Sequence, residues 1–217
     1  MSESEIWLIM VGLSERKFEL KKGEWRVSEI AGCLRRAMLA RVLDVDPIIK
    51  TPESVIGALW HKYVFPPVAK EWARKKGFKI DFEVEIREFP LVGHVDAILK
   101  KEDKVYPWEF KVTFWELGKF KDIRMAHVIE QANMYAGILK TDKFRVTVVS
   151  LYDGEPVVFD KWFDFDEEKY LQRKMEANGL NEAIANKRMV RGPRYIWECA
   201  HCKFDIICKY LRDTDAK

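Results

Sequence analysis

The sequence predicts an α/β fold in which a single five-stranded mixed sheet is flanked by helices. Between about residues 78 and 165, apolar and polar residues alternate with the period of two that is typical of strands. Apolar residues at helical spacing precede this block, interrupt it once and follow it. Because helices come before, inside and after one block of strands, we expect a layered α/β domain.

The first helices are predicted from their start and stop signals. Helical spacing begins at Ser28, a good N-cap, and places Cys33 in the second turn. A second helix begins at Thr51, with threonine as the cap and proline at the first helical position, and it ends at Pro66-Pro67. A third helix, rich in Lys and Arg, runs to Gly77.

Five strands and two further helices complete the predicted order. The strands are expected at Phe78–Glu88, Leu91–Lys100, Lys104–Thr113, Phe144–Tyr152 and Pro156–Phe165. A helix near Ala126–Leu139 separates the third strand from the fourth, and another runs from Glu167 to about Lys187, weakened at Gly179. The tail from Arg191 onward is basic and aromatic and holds three of the four cysteines.

The composition excludes several classes of protein. Thirteen Phe, eight Trp and seven Tyr exclude a disordered chain, and a net charge of +3 excludes a histone-like polycation. No apolar run approaches the roughly 18–20 residues that span a bilayer, and the apolar stretch Ile6–Leu13 lacks the flanks of a signal peptide. No repeat or flexible linker divides the chain. We therefore expect one domain over residues 1–217, cytoplasmic and without a membrane partner.

Two neighbouring strands carry the residues most suited to chemistry. A turn centred on Glu102-Asp103 places Asp96 opposite Glu109. The same register places His94 opposite Lys111, with all four side chains on one side of the sheet. The proline in the second strand cannot donate to the ladder, and a bulge there would shift this register.

The two facing carboxylates indicate a cation site. Carboxylates directly opposite each other repel and lower stability, an arrangement that makes sense if a divalent cation lies between them. Hard oxygen ligands suit Mg²⁺ or Mn²⁺, and Lys111 can orient a metal-bound water or neutralise charge on a phosphate. The alternative is a solvent-facing strand on which Asp96, Glu109 and Lys111 form only a surface pair.

The hairpin resembles a known nuclease core. The sequence Gly93-His-Val-Asp96 followed by Glu109-Phe-Lys111 is similar to the Asp…Glu-x-Lys core of the RecB-type, restriction-endonuclease-like nucleases. Gly57-Ala-Leu-Trp-His61 resembles the helix that carries the metal-binding histidine of that group. Gln131-Ala-Asn-Met-Tyr135 resembles its Gln-x-x-x-Tyr motif, with the two polar residues one helical turn apart.

The four cysteines extend the resemblance. Cys33 with Cys199-x₂-Cys202-x₅-Cys208 is similar to a split iron–sulfur cysteine set, so the motifs span from about Ser28 to Cys208. In this order they resemble the small CRISPR-associated RecB-type exonucleases, the fourth of the Cas families. Ligand count suits Zn²⁺, a [2Fe–2S] or a [4Fe–4S] cluster equally, and the resemblance favours [4Fe–4S]. Such a centre would clasp the Cys33 region to residues 191–212. The alternatives are two disulfides or unpaired thiols.

The resemblance implies a restriction-endonuclease-like (RecB-type) core with a role for each residue of the site. The residues that it implies as ligands of Mn²⁺ or Mg²⁺ are His61, Asp96, Glu109 and, through its carbonyl, Phe110. Lys111 would be catalytic, together with Asp96 and Glu109. Gln131 and Tyr135 would position DNA or the active-site groups, although they equally suit packing and capping. Taken alone, His61 is better explained as a core histidine, and His94 and His127 are expected to be structural or surface residues.

The activity that the resemblance implies is a metal-dependent DNA exonuclease acting on single-stranded DNA or DNA ends. It would trim prespacer DNA for CRISPR spacer acquisition, beside the CRISPR integrase complex, and a homo-oligomer is compatible with it. The alternative in the same class is an iron–sulfur RecB-type nuclease of DNA repair or of a virus. Other classes are a non-catalytic, metal-clasped DNA-binding module and a redox protein.

Basic residues cluster in three segments. Residues 187–212 carry seven Lys or Arg against two acidic residues, and residues 70–81 carry a second cluster. The segment 113–124 mixes aromatic residues with lysines beside the predicted metal site, a combination that suits single strands, whose bases stack on rings while phosphates meet cations. We expect segment 113–124 to contact DNA, and the other two clusters to be solvated surface.

Overall fold

The computed structural model describes residues 3–14, 19–46 and 51–208, and their fold is α/β, as predicted. The helices are α1 (Glu3–Ser14), α2 (Val27–Ala31), α3 (Leu34–Leu43), α4 (Pro52–Leu59), α5 (Phe65–Lys76), α6 (Leu117–Ile123), α7 (Met125–Leu139) and α8 (Glu167–Ala185). The strands are β1 (Trp25–Arg26), β2 (Lys79–Glu88), β3 (Leu91–Lys101), β4 (Lys104–Thr113), β5 (Lys143–Ser150) and β6 (Val157–Asp164). A π-helical turn covers Trp60–Val64, and 3₁₀ turns cover Tyr152–Gly154 and Ile196–His201.

One mixed sheet forms the centre of the fold. Its strand order is β1-β3-β4-β5-β6, and β2 pairs with β3 as well. The β1–β3 and β4–β5 pairs are parallel, whereas the β2–β3, β3–β4 and β5–β6 pairs are antiparallel. The predicted mixed sheet flanked by helices is therefore confirmed, and the two-residue strand β1 joins the five strands that the sequence predicted.

Helices cover both faces of the sheet, as the alternation along β5 shows. Val148 packs in a cluster with apolar residues of α6 and α7, whereas its neighbour Val149 packs in a cluster with residues of α5 such as Phe65. On the α7 face, α2 and α8 add a further buried cluster that includes Trp25 and Leu180. Among the helices of the described residues, none combines the length and the apolar character needed to cross a bilayer.

The β3–β4 hairpin has the predicted register. The ladder runs from the turn at Glu102-Asp103 to Ala97 opposite Trp108. Pro107 pairs within this ladder without shifting it. The bulge that a proline in the strand made conceivable is therefore not formed.

The single helix predicted from Ser28 is in fact two helices. α2 ends at Ala31 with Gly32 as its C-cap, and Cys33 is the N-cap of α3, where its sulfur accepts from the Arg36 amide at 3.5 Å. Placing Cys33 in a second helical turn was therefore wrong. The physical reason is a contact with the tail, because the Cys33 amide donates to Oε1 of Glu198 at 2.9 Å and so is directed out of the helical ladder.

The predicted end of the second helix at Pro66-Pro67 was also wrong. α4 is capped by Thr51 as predicted, but it passes through the π turn Trp60–Val64 directly into α5. Both prolines lie in the first turn of α5, directly after the π turn, so the regular hydrogen bonding is already interrupted where the two amide donors are lacking. α5 then ends at Gly77, which has φ 73° and provides the left-handed cap.

Candidate active site

Strands β3 and β4 diverge at the two predicted carboxylates. Their ladder ends at Ala97 opposite Trp108. Beyond this point β3 pairs with β1 at Leu91 and the residue that follows it, while β4 pairs with β5 from Trp108 onward. Asp96 and Glu109 are the first residues past the end of the ladder, one on each diverging strand.

The divergence corrects the facing pairs expected from the register. Asp96 with Glu109 and His94 with Lys111 lie outside the β3–β4 ladder. On the opposite edges of the two strands, His94 pairs with Glu85 of β2 and Lys111 pairs with a valine of β5. The register itself is as predicted, but the ladder ends one residue before the carboxylates.

Two neighbours hold the carboxylate of Asp96. The amide of Phe110 donates to Oδ2 of Asp96 at 2.9 Å, and Nδ1 of His61 lies 2.9 Å from Oδ1. Both Asp96 and His61 are buried. The imidazole also packs edge-on against the Phe110 ring, with ring centroids 5.3 Å apart. The carboxylate is therefore oriented by the neighbouring strand on one side and by the π turn on the other.

Glu109 is balanced by a lysine on its own strand. Nζ of Lys111 lies 2.5 Å from Oε1 of Glu109. The Glu109 side chain is 1% exposed, whereas that of Lys111 is 29% exposed. Removing a carboxylate from water is unfavourable unless a charge or hydrogen bonds compensate, so the lysine both neutralises the buried acid and brings an ammonium to the surface.

A cavity of about 420 Å³ opens at this place. Among the residues that line it are His61, Asp96, Lys111, Gln131 and Tyr135. Nε2 of Gln131 donates to the Tyr135 hydroxyl at 2.9 Å. Gly93 of β3 lies against the same ring, since a Cβ built there would be 2.4 Å from Cε1 of Tyr135. The absence of a side chain at Gly93 thus lets α7 bring Tyr135 close to the strand.

The donor atoms at this cavity suit a hard divalent cation. Carboxylate and carbonyl oxygens with an imidazole nitrogen are a ligand set that Mg²⁺ or Mn²⁺ accepts. Within residues 3–14, 19–46 and 51–208, however, no group of three or more His, Cys, Asp or Glu side chains is arranged so that it could hold a metal ion. The contacts of Lys111 with Glu109 and of His61 with Asp96 take positions beside the carboxylates that a cation would use. The ligand roles of His61, Asp96, Glu109 and Phe110 therefore stay predictions.

The predicted four-cysteine clasp is not present as a metal group in the part of the chain that the structure describes. The cysteines concerned are Cys33, Cys199, Cys202 and Cys208, and none of them is in a disulfide. Cys33 and Cys208 are buried, and burial raises the pKa of the Cys33 thiol. Cys202 packs beside Cys208 in a small apolar cluster with α3.

The tail is nevertheless joined to the N-terminal helices by other groups. Oε1 of Glu198 accepts from the Cys33 amide and also lies 2.9 Å from Nη2 of Arg36. Phe204 packs against Leu39 of α3. The observed connection between the two segments is therefore a buried carboxylate with an apolar cluster.

Sequence reasoning missed a second group of residues beside the cavity. Arg124 lies between the rings of Trp115 and Trp197, at 3.9 and 4.6 Å from their centroids. His127, expected to be a structural or surface residue, contacts Trp197 edge-on, with ring centroids 5.6 Å apart. Trp115 and Arg124 fall in the segment expected to contact DNA, but Trp197 belongs to the tail. The aromatic residues of the tail were the available signal, and nothing in their spacing related them to Arg124.

Comparison with known proteins bears on the fold. No family model and no curated protein matches the chain. The crystal structure of SSO0001 is similar with a TM-score of 0.63 and 18% identity, covering 94% of this chain and 96% of that one. An alkaline exonuclease, LHK-Exo from Laribacter hongkongensis, is similar with a TM-score of 0.56 and 10% identity, covering 76% of this chain and 89% of that one. A phage-related exonuclease from Haemophilus somnus 129PT is similar with a TM-score of 0.52 and 10% identity, covering 76% and 96%. The chain therefore shares the fold of two exonucleases.

Proposed function

We propose that the protein is a metal-dependent nuclease that hydrolyses phosphodiester bonds, acting as an exonuclease on single-stranded DNA or DNA ends. One observation carries the proposal, which is that His61, Asp96 and Lys111 line a single cavity where β3 and β4 diverge. A carboxylate, an imidazole and an ammonium at one cavity suit attack on a phosphodiester. The fold around this cavity is shared with two proteins named as exonucleases, and this likeness supports the proposal.

The proposed chemistry depends on a bound cation and on how the chain presents its own groups. A divalent ion held by His61, Asp96, Glu109 and the Phe110 carbonyl would polarise the scissile phosphate and activate a water. The Phe110 amide holds one oxygen of Asp96, and His61 contacts the other, so a cation bound between His61 and Asp96 would replace the contact between these two side chains.

Lys111 is the proposed catalytic cation. Its partial exposure and its place in the cavity wall allow its ammonium to reach a bound phosphate, where it would stabilise the negative charge that grows during hydrolysis. Gln131 and Tyr135 line the same cavity from α7, and their mutual hydrogen bond fixes both side chains. We assign them the positioning of the DNA strand.

The finer assignment is that the substrate is prespacer DNA, trimmed beside the CRISPR integrase complex. It rests on the order of motifs in the sequence, and a nuclease of DNA repair or of a virus is the alternative. A duplex with single-stranded overhangs separates the two. Trimming requires removal of the overhang and arrest at the duplex, whereas continued degradation into the duplex favours the alternative.

We also propose a [4Fe–4S] cluster on Cys33, Cys199, Cys202 and Cys208, with [2Fe–2S] or Zn²⁺ as the alternatives. Cys33 caps α3, and Cys208 packs in a small apolar cluster with Leu39 of the same helix and with Cys202, which supports a centre at this place. Anaerobically purified protein should contain about four iron and four sulfide per chain if the assignment is right. Stoichiometric zinc would favour Zn²⁺, and the absence of both metals would contradict a metal centre.

The decisive experiment for the nuclease proposal is cleavage of end-labelled single-stranded and double-stranded DNA with Mn²⁺, Mg²⁺ or EDTA. We expect metal-dependent shortening of the single strand, with the label that is lost first reporting the polarity. Lys111→Ala should lower the rate by about 10²- to 10³-fold, the range seen when a group that stabilises transition-state charge is removed.

A matched control is available on the same strand. Lys104 lies at the other end of β4, exposed and 3.7 Å from Asp142, and Lys104→Ala should cleave at the wild-type rate. If folded, metal-supplemented wild-type protein leaves all substrates intact while still binding DNA, the chain is a non-catalytic DNA-binding module. A rate unchanged by Lys111→Ala would contradict the role given to this lysine.

A further inference from the structure

A second cavity adjoins the candidate active site. It has a volume of about 770 Å³ and shares Lys111 and Gln131 with the first cavity. Its wall includes Trp115 from the segment after β4, Arg124 from the start of α7 and Trp197 from the tail. A polymer whose scissile bond lies at Lys111 can therefore continue along this second cavity.

Arg124 lies at this cavity without a hydrogen-bonding or ionic partner for its guanidinium among the described residues. Its guanidinium lies between the rings of Trp115 and Trp197, and it makes no hydrogen bond or ion pair with any residue that the structure describes. Its Nε is buried without a partner, and so is Nε1 of Trp197. A half-buried charge without hydrogen bonds to the protein is unfavourable, whereas an anion bound at the terminal nitrogens of the guanidinium would compensate it.

Two other cations of the cavity wall are already paired with carboxylates. Arg36 is paired with Glu198 at 2.9 Å, and Lys111 with Glu109 at 2.5 Å. His127 is uncharged at neutral pH, because burial lowers its pKa to about 3, assisted by the cations around it. Burial also lowers the pKa of Arg124, and no carboxylate acts in the opposite direction. Arg124 is thus a cation of this wall whose charge is not already balanced by a side chain of the described chain.

We propose that Arg124 binds a backbone phosphate of the nucleic-acid strand at a position separate from the scissile phosphate. The proposal rests on the function proposed above, since it takes the strand to pass from the cavity at Lys111 into the second cavity. Two indole rings hold the guanidinium flat, so that the two terminal nitrogens present a fork that matches phosphate oxygens. Because the side chain is already ordered, little conformational entropy is lost when the phosphate binds.

A phosphate fits this position better than a base does. The faces of Trp115 and Trp197 that a base would stack on are the faces that Arg124 covers. Trp197 also packs against Tyr195, with ring centroids 6.1 Å apart, and edge-on against His127. At the two rings, the groups left for a ligand are the terminal nitrogens of Arg124, which are hydrogen-bond donors, and a phosphodiester supplies acceptors.

The test is binding of fluorescein-labelled oligothymidylate by anisotropy in EDTA, so that no strand is cut. Arg124→Met should raise Kd by about 10- to 100-fold, as expected for loss of a charged hydrogen-bonding pair. The slope of log K against log salt should become shallower by about 0.7, the value for one phosphate contact on a single strand. The thermal midpoint should fall only slightly, because the arginine has no polar partner and methionine keeps packing against the two rings. An arginine with a purely structural role would leave the salt slope unchanged.

Arg74→Met is the control, because Arg74 is an exposed arginine of α5 paired with Glu71, and it should leave Kd and slope unchanged. Wild-type affinity and slope in Arg124→Met would overturn the inference, as would a wild type that binds no oligothymidylate. If Arg124→Met does not fold, the inference is tested by crosslinking wild-type protein to strands that contain 4-thiothymidine. Crosslinks in peptides 113–124 or 195–201 support the inference, and crosslinks found only elsewhere overturn it. Binding that depends on Arg124 without any cleavage in Mn²⁺ would instead sink the nuclease proposal and leave this one standing.

Discussion

Nδ1 of His61 lies 2.9 Å from Oδ1 of Asp96, and this contact joins a helix to the central sheet. His61 belongs to the π turn Trp60–Val64 between α4 and α5. A π turn takes in one more residue than an α-helical turn and so rotates the side chains that follow it, and such turns are frequent at functional sites. Here the π turn places the imidazole of His61 against the carboxylate of Asp96 on β3.

We expect His61→Ala to lower DNA cleavage by about 10- to 100-fold, the usual effect of removing a group that orients or supplements metal ligands. Steady-state rates at saturating Mn²⁺ measure this. Tyr63→Ala is the control, because Tyr63 is exposed on the same π turn, and it should cleave normally. Equal rates for His61→Ala and wild type would show that the contact with Asp96 has no part in the reaction.

Gly93→Ala should damage the site through Tyr135. The added methyl group would lie 2.4 Å from Cε1 of Tyr135, so the ring must move and its hydrogen bond with Gln131 is strained. We expect a loss of about 1–3 kcal/mol in the free energy of unfolding, as for other overpacked sites, together with slower cleavage. Urea unfolding and cleavage rates test both effects.

Two comparisons make the Gly93 prediction specific. Gly179→Ala in α8 meets open space at an exposed helical position and should raise the free energy of unfolding by about 0.5–1 kcal/mol. Combining Gly93→Ala with Tyr135→Ala should cost less than the sum of the two single changes, because the smaller side chain removes the clash. Strict additivity would mean that Tyr135 is not the residue displaced.

Asp160→Asn should destabilise the protein near neutral pH. Arg145 is buried, and its guanidinium donates to both carboxylate oxygens of Asp160 at 2.8 and 2.6 Å. Loss of one partner leaves a buried guanidinium with weaker hydrogen bonds, and we expect a cost of about 1–3 kcal/mol in the free energy of unfolding. Asp164→Asn is the control, because its exposed pair with Lys143 at 3.5 Å contributes little.

The same ion pair predicts a pH dependence. Burial alone raises the pKa of Asp160, but the Arg145 guanidinium and the Thr147 hydroxyl outweigh it and hold the pKa below the ordinary value of 3.8. A carboxyl whose pKa is lower in the folded state stabilises the protein above its unfolded-state pKa and loses that contribution as pH falls through the folded-state pKa. Thermal midpoints of the wild type should therefore fall on acidification below about pH 4. The fall should be smaller in Asp160→Asn, and identical profiles would contradict the assignment.

Glu198→Ala should loosen the tail. The change removes the acceptor of the Cys33 amide and the partner of Arg36, both at 2.9 Å. We expect a loss of about 1–3 kcal/mol and faster proteolysis of residues 191–208. Glu182→Ala, an exposed change in α8, should leave proteolysis unchanged. A tail that resists proteolysis in Glu198→Ala would show that other contacts hold it.

The parts of the fold that were predictable from sequence are those fixed by local signals. The register of β3 and β4 follows from a two-residue charged turn, and Pro107 does not disturb it. The caps of α4 and α5 follow from Thr51 and Gly77. In each case the residues that decide the structure are near neighbours in the chain, so spacing alone carried the prediction.

The parts that were missed depend on contacts between distant residues. The break before α3 falls at Gly32, a residue type that favours helix ends, but the acceptor of the Cys33 amide is Glu198, which is distant in the sequence. β3 and β4 separate at Asp96, and β1 pairs with β3 farther along at Leu91, but a two-residue strand is too short to show a pattern in the sequence. The Trp115, Arg124 and Trp197 stack joins the segment after β4 to the tail. The candidate site was therefore predictable as a set of residues, but its second cavity was not.

Because the tail forms part of the second cavity, this cavity can be completed only late in translation. Trp197 and Glu198 form part of the second cavity, and Glu198 binds Cys33, which is 165 positions earlier in the chain. A ribosome releases Cys33 and the whole hairpin long before it releases Glu198. During that interval, the nascent chain carries the reactive carboxylates and lysine without the wall that guides a strand to them. If our proposals are right, nucleic-acid binding at the second cavity requires the tail. Translation products that lack the tail should therefore bind nucleic acid weakly.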